Sequence, residues 1–543
     1  MKTVNYNNAL EASPENLAQS AASKARVWTS PKWPMIIICI AGAALFALLL
    51  AMNSASLGGR KIIHITCCYD APSYFSTGHA LLFHHSFDLS SEFEAVGQPF
   101  EGWSSIVPAT GRPASVFAIG YSLLEIPFLA VGTGLDALTH HPADGYSTYA
   151  LTAYYGANIL FVTIALLCLY RLLYELGGQL DISQESRVWV PLFVVLAMLP
   201  ATSLGYYAFS PLPHVAGFMM LSIFFLTWWR IRNSNSWWRW ALLGVLGGLT
   251  ALCRWQDAVY LAAPPLCELL HLYKTRRIPE NASVAKWLGV RALYCCVGLL
   301  TLTPQLIEWK AIFGHYLLVP QGPGFFQFPP RFVPQVLFST QHGWFLWTPV
   351  TLICIIGLLM AWNRVEGYLV PWALILFAEI ALMGAQPTDW HGYESFSIRS
   401  LTCSLAVAGV GLAMFLWLMP KKILPLLCVV VAFCALYSTV FAAQYRLDLI
   451  PKNDRLLSTE LVHDKLYMRQ AYARSRSAQR GEALIKKGNA AGATVSLNKS
   501  LAQYGDDRAL LKALAEAYAA DGNTAAAEET RERLAKLLDK RLF

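Results

Sequence analysis

The segment Cys67-Cys68-Tyr69-Asp70-Ala71-Pro72-Ser73-Tyr74 sets a carboxylate between a long apolar run and a proline-bearing helix start. At a membrane–water boundary such a carboxylate can take a proton from a hydroxyl. At a helix start it can equally serve only as a cap. Arg112 in Thr110-Gly111-Arg112-Pro113 and Arg399 in Ser395-Phe396-Ser397-Ile398-Arg399 have the charge and fork geometry to hold a phosphate. Arg112 can otherwise snorkel its stem along headgroups. Arg399 stands at the mouth of an apolar run, where a cation without a role is costly. His214, Arg254, Lys310 and His342 are further basic candidates at or near the ends of apolar runs. Arg254 has a rival partner in Asp257 one turn on, and His214 reads equally as a packed polar side chain. Asp88, Glu92, Glu94 and Glu101 read as a solvated loop, from which one carboxylate could orient an acceptor. No Cys-x-x-Cys or Cys/His spacing for zinc occurs, so no metal ligand is assigned; Cys67 and Cys68 are given a structural role.

These side chains matter only if the surrounding elements bring them to one place. The chain is 55% hydrophobic and 14% charged, against about 25% charged for a soluble protein. The 18 Trp suit a protein with two membrane–water boundaries. The net charge of +8 does not indicate nucleic acid, because the basic residues fall in short clusters between apolar runs. Runs long enough to span lie near 34–53, 148–170, 188–205, 212–229, 237–253, 257–273, 286–307, 345–362, 367–384, 399–418 and 422–441. The first is longer than a signal-peptide core and is read as a retained helix. The stretch 114–134 is ambiguous, and the distribution of basic residues decides it. If it lies at the interface, Lys24/Arg26/Lys32, Arg171/Arg187, Arg230/Arg232/Arg239, Lys274/Arg276/Arg277, Arg364 and Lys421/Lys422 all fall on the cytoplasmic side. If it spans, every later cluster flips. Glu125, Pro127 and the glycines also suit an interfacial helix.

The expectation is an all-α polytopic protein of the bacterial inner membrane. A cytoplasmic tail (1–33) precedes a core of about 11 transmembrane helices (34–443), whose first outer loop (54–147) holds interfacial helices. The extracytoplasmic tail (444–543) is a small helical repeat domain. Within it Glu482-Ala483…Gly488-Asn489 matches Glu516-Ala517…Gly522-Asn523 with a period of 34, which resembles tetratricopeptide repeats. Ala491 and Ala493 align with Ala525 and Ala527, where helix pairs need small contacts. Residues 452–543 could dock a protein partner or simply cap the outer loops.

With these motifs in order on one membrane face, the layout resembles the GT-C superfamily of membrane glycosyltransferases, such as protein O-mannosyltransferases and the aminoarabinose transferase of lipid A. The resemblance covers roughly 34–420 and rests on five segments: the one around Asp70; Thr110-Gly111-Arg112-Pro113; Ser210-Pro211-Leu212-Pro213-His214; Pro304-Gln305…Trp309-Lys310 with Pro320-Gln321-Gly322-Pro323-Gly324-Phe325, leading to His342-Gly343-Trp344…Trp347-Thr348-Pro349; and Asp389-Trp390-His391-Gly392-Tyr393…Arg399. It implies a GT-C-type core that moves one sugar, with inversion, from a polyprenyl phosphate to an extracytoplasmic lipid, glycan or protein acceptor. Asp70 would be the catalytic base, opposite the leaving phosphate. Arg112 and Arg399 would hold the phosphate, with His214, Arg254, Lys310 and His342 as secondary substrate contacts. Many relatives carry an acidic residue in the second outer loop; 205–214 has none, which points to a monophosphate donor, no metal and no cofactor. The rivals are a lipid-linked-sugar flippase and an inactive scaffold recruiting a partner through its repeats. A flippase needs charge along a central path, and the mid-span positions read as almost all apolar.

Overall fold

The computed structural model describes residues 30–55, 63–64, 70–276, 278 and 282–542. Cys67 and Cys68, nearly all of the N-terminal tail and Arg277 lie outside the described residues. The described cysteines are free thiols. Among the described residues there are helices, loops and two isolated β-bridges, and no strand. Apolar runs take this form because a helix satisfies its own backbone polar groups without water.

The first helix, α1 (Lys32–Ala55), precedes two short ones, α2 (Ala71–His79) and α3 (Ser90–Val96). Next come α4 (Gly120–Leu138), α5 (Thr148–Gly177), α6 (Gln184–Ala201), α7 (His214–Ile231) and α8 (Trp237–Cys253). They are followed by α9 (Ala263–Thr275), α10 (Val284–Thr301) and α11 (Thr303–Phe313). The apolar core closes with α12 (Val350–Met360), α13 (Leu369–Gly384), α14 (Leu405–Leu418) and α15 (Leu424–Arg446). Among the described residues six helical stretches are long and apolar enough to cross a membrane: α1, α4, α5, α7, the α10–α11 stretch and the one containing α15. Helices α12, α13 and α14 are apolar but shorter. The expected span at 257–273 is broken. Trp255–Ala262 is a 3-10 helix, and α9 restarts at Ala263 with prolines in its first turn.

Helix α7 is the centre. Its side chains are buried nearly all round, which marks a helix enclosed by others. It packs against α5 and α8. Helix α4 meets the criterion for crossing that the sequence reading denied it. Its contacts, however, lie along the first half of α5: Gly132 against Tyr149 and Ala150, Phe128 on Phe161, and the Tyr121 hydroxyl on Asn158 at 3.2 Å.

The basic clusters gather at one end of α7. Glu175 pairs with Arg171 at 2.9 Å and Arg230 at 2.7 Å. Arg187 donates to the Tyr174 carbonyl at 2.9 Å, and Lys274 to that of Glu366 at 3.2 Å. His214 opens the other end, some 18 residues away, or about 27 Å at 1.5 Å per residue.

The tail is two helix pairs, α16 (Met468–Lys486) with α17 (Ala490–Tyr504), and α18 (Arg508–Ala520) with α19 (Thr524–Leu538). The Gly-Asn signal marks the same device in both. Gly488 and Gly522 take positive φ, and Asn489 and Asn523 cap the following helices. Ala493 and Ala527 are buried, but Ala491 and Ala525, also expected at the contact, face solvent. The linker 448–466 ties this unit to the core side: Arg508 meets Asp454 and Glu460, both at 3.1 Å, and Thr340 donates to the Leu542 carbonyl at 3.1 Å.

Candidate functional site

Asp70 stands at the N-terminal end of α2. Pro72 fits the first turn, where N–H groups have no intrahelical acceptor. The Asp70 side chain does not cap its helix. Its Oδ2 instead meets Arg399 Nη2 at 2.7 Å, with the two side chains 9% and 12% exposed. The pair is therefore an interior one. Helix α2 is held by Ser122 Oγ, which donates to the Tyr74 carbonyl at 2.8 Å, and by the Tyr74 ring on Phe117 and Tyr121. Burial, reinforced by Asp70, pushes the Tyr74 hydroxyl far up, while Arg254 and Arg399 oppose the shift. Arg399 is delivered by a tightly folded loop in which Tyr393 and Ser397 take positive φ. The Phe396 N–H donates to the Tyr207 hydroxyl at 2.9 Å, and Arg399 N–H to Ser395 Oγ at 3.3 Å.

Two cavities meet at this ion pair. The first, about 630 Å³ including space open to solvent, is lined by His214, Arg254, Gln386 and Asp389 among aromatic rings. The second, about 860 Å³ on the same measure, is lined by Gly102, Glu394 and Asn453. Asp70, Arg399, Trp103 and Tyr393 border both. The Trp103 and Tyr393 rings touch edge to face, with centroids 6.0 Å apart. Flat apolar rings with polar tips beside amides and ions suit a ligand that is partly ring-like and partly anionic.

Arg254 belongs to the first cavity. It donates to His214 Nδ1 at 2.8 Å and to the Ser400 carbonyl at 3.1 Å. The one-turn pair with Asp257 fails because Arg254 is extended, at φ −156, and Trp255–Ala262 is not an α-helix. Both Asp257 oxygens are buried without a hydrogen-bond partner. Asp257 and Glu379 are fully buried nearby. Glu379 sits in the second half of α13, so the mid-helix positions are less uniformly apolar than the sequence suggested.

Three expected site residues go elsewhere. Arg112 donates to the Ala311 carbonyl at 2.9 Å, and Lys310 to the Gly314 carbonyl at 2.8 Å. Both cations serve the C-terminal end of α11, where carbonyls lack intrahelical donors. His342 is wholly buried and donates from Nδ1 to the His391 carbonyl at 2.7 Å. Burial lowers its pKa to about 3. It braces the loop carrying Arg399 and lines neither cavity. Glu92, read as solvated, is buried, whereas Asp88, Glu94 and Glu101 are exposed.

The residue that sequence reasoning missed is Asp389. It lines the first cavity, and burial raises its pKa, with Asp70 contributing in the same direction. Its signal lay in the run Asp389-Trp390-His391-Gly392-Tyr393, ahead of Arg399. The resemblance places a second carboxylate in 205–214 instead. With Asp389 in the cavity, the absence of acid from that loop no longer argues for a metal-free donor site. No protein-family model matches this chain, and no curated protein sequence matches it.

Proposed function

We propose that the chain is a GT-C-type membrane glycosyltransferase that moves a sugar from a polyprenyl phosphate to an extracytoplasmic acceptor. The carrying observation is the buried Asp70–Arg399 pair, 2.7 Å long, where two cavities meet. Two substrates that approach one carboxylate from different sides need that arrangement. Arg399 and Arg254 hold the donor phosphate and stabilise it as it leaves. Asp70 takes the acceptor proton, and Asp389 orients a sugar or acceptor hydroxyl. The rings of Trp103 and Tyr393 form the wall between donor and acceptor.

On this reading the basic clusters face the cytoplasm and the cavities the extracytoplasmic side. The length of α7, about 27 Å, approaches the roughly 30 Å of a bilayer's hydrocarbon core. The eleven-pass topology is part of the proposal, with α4 lying along the outer half of α5.

Mass spectrometry of envelope glycans, lipids and glycoproteins from a deletion strain tests the reading. The deletion removes one sugar, wild type restores it, and Asp70→Asn, expressed at the same level, does not. No sugar change in the deletion strain refutes transferase function. Full restoration by Asp70→Asn leaves the scaffold or flippase reading in its place.

A further inference from the structure

We propose that His79, His84 and Glu92 form a zinc site that clamps α2 to α3. The inference is independent of the sugar-transfer reading.

The three side chains bring one ligand atom each within 4.8 Å of one another. Glu92 Oε1 lies 3.2 Å from His84 Nε2 and 3.6 Å from His79 Nδ1. Tetrahedral zinc with bonds near 2.0–2.1 Å spaces its ligands about 3.3 Å apart. Two imidazoles and a carboxylate are a zinc-type donor set with one position left for water.

Orphaned atoms point to the same centre. His79 Nε2 donates to the Asp144 carbonyl at 2.8 Å, which leaves the neutral ring's Nδ1 as a bare lone pair. That Nδ1 is buried and has no hydrogen-bond partner, and it faces the buried Glu92 Oε1, whose other neighbour is His84 Nε2. His79 is 4% exposed and Glu92 1%. Two acceptors face each other in the interior, and a cation between them relieves the repulsion. A carbonyl on the far nitrogen is the usual support for a metal-bound imidazole. Ser91 Oγ holds the other Glu92 oxygen at 2.8 Å.

The backbone is shaped for this cluster. Residues five apart on an α-helix point about 140° apart. The π-helical turn Ala80–His84 at the end of α2 adds the residue that swings His84 back beside His79. His79 is also fixed by the Phe83 ring, 4.4 Å away and stacked, and by Tyr146 at 4.5 Å.

His79 follows Asp70 by nine positions along α2, about 13 Å. The metal is therefore a clip that fixes the helix bearing Asp70, remote from the reacting atoms.

The test uses the full chain in detergent, purified through a histidine-free tag, stripped with chelator and titrated with Zn²⁺ alone. One saturable equivalent is expected. His84→Ala and Glu92→Gln each weaken binding by at least about tenfold, while His85→Asn, at the exposed neighbouring position, binds as wild type. His84 is exposed, so its truncation leaves the packing intact. Absence of saturable uptake, or uptake retained by both His84→Ala and Glu92→Gln, overturns the proposal. The cluster is then a histidine–carboxylate hydrogen-bond network only.

Discussion

Removing one member of the Asp70–Arg399 pair should destabilise the protein far more than its share of the double substitution. The pair spans 2.7 Å, with both side chains about nine-tenths buried, so the discount for surface ion pairs does not apply. Asp70→Asn leaves a guanidinium without its counter-charge, at a cost of about 3–5 kcal/mol; Arg399→Gln leaves a carboxylate in the same state. The double substitution buries neither charge, so its cost falls short of the sum of the singles by about 2–3 kcal/mol. The assay is equilibrium unfolding in mixed micelles, followed by tryptophan fluorescence. A parallel transfer assay separates folding from chemistry. Loss of the base should lower transfer by about 10²–10⁴, and the double variant should regain stability without regaining transfer. Additive stability effects would refute the claim that the two charges sustain each other. Full transfer by Asp70→Asn would refute its role as base.

His342 gives a pH prediction. Burial holds it at about 3 against an ordinary value of 6.5. Below 6.5 the unfolded chain takes a proton that the folded chain refuses, so stability present above that pH drains as pH falls toward 3. At pH 5 the loss is about 2 kcal/mol. His342→Asn should flatten this limb between pH 7 and 5 in the same unfolding assay; an unchanged acid slope counts against it. Gly357 tests the packing: a Cβ there would collide with the Gly411 carbonyl oxygen. Gly357→Ala should therefore destabilise the α12–α14 contact by about 1–3 kcal/mol, and a wild-type melting temperature would contradict that. Arg112→Lys should leave transfer within about twofold, since Arg112 caps α11; a loss comparable to that of Asp70→Asn would return it to the site.

What the sequence revealed, and what it hid, follows from where each signal resides. Composition and long apolar runs reveal a helical protein with helices long and apolar enough to cross a membrane, because such helices leave a dense, local pattern. The repeat tail was legible for a related reason: Gly488-Asn489 and Gly522-Asn523 are local turn-and-cap chemistry. Asp70 and Arg399 were each singled out, and they meet. Arg112 and Lys310 misled because a cation in sequence does not announce the carbonyls it will cap. Arg254 misled because pairing with Asp257 assumed helical geometry across a 3-10 segment. The cluster of His79, His84 and Glu92 was hidden by a π-turn, which no α-helical spacing rule anticipates.

The buried pair also constrains how the proposed transferase works. Apolar residues of equal volume would serve stability about as well as an interior ion pair, so stability alone does not account for this one. Arg399 is bound to Asp70, and Arg254 is bound to His214. A donor phosphate offers Arg399 a more highly charged, bidentate partner. It therefore competes directly with Asp70. A carboxylate that loses its cation becomes a better proton acceptor. Donor binding would then create the base at the moment a hydroxyl in the second cavity needs one. Arg399→Lys is the informative substitution. It keeps the charge and forfeits the fork, so donor affinity should fall together with the turnover of bound donor. A variant that lost donor affinity alone, with turnover intact, would show that Arg399 anchors the phosphate without gating Asp70.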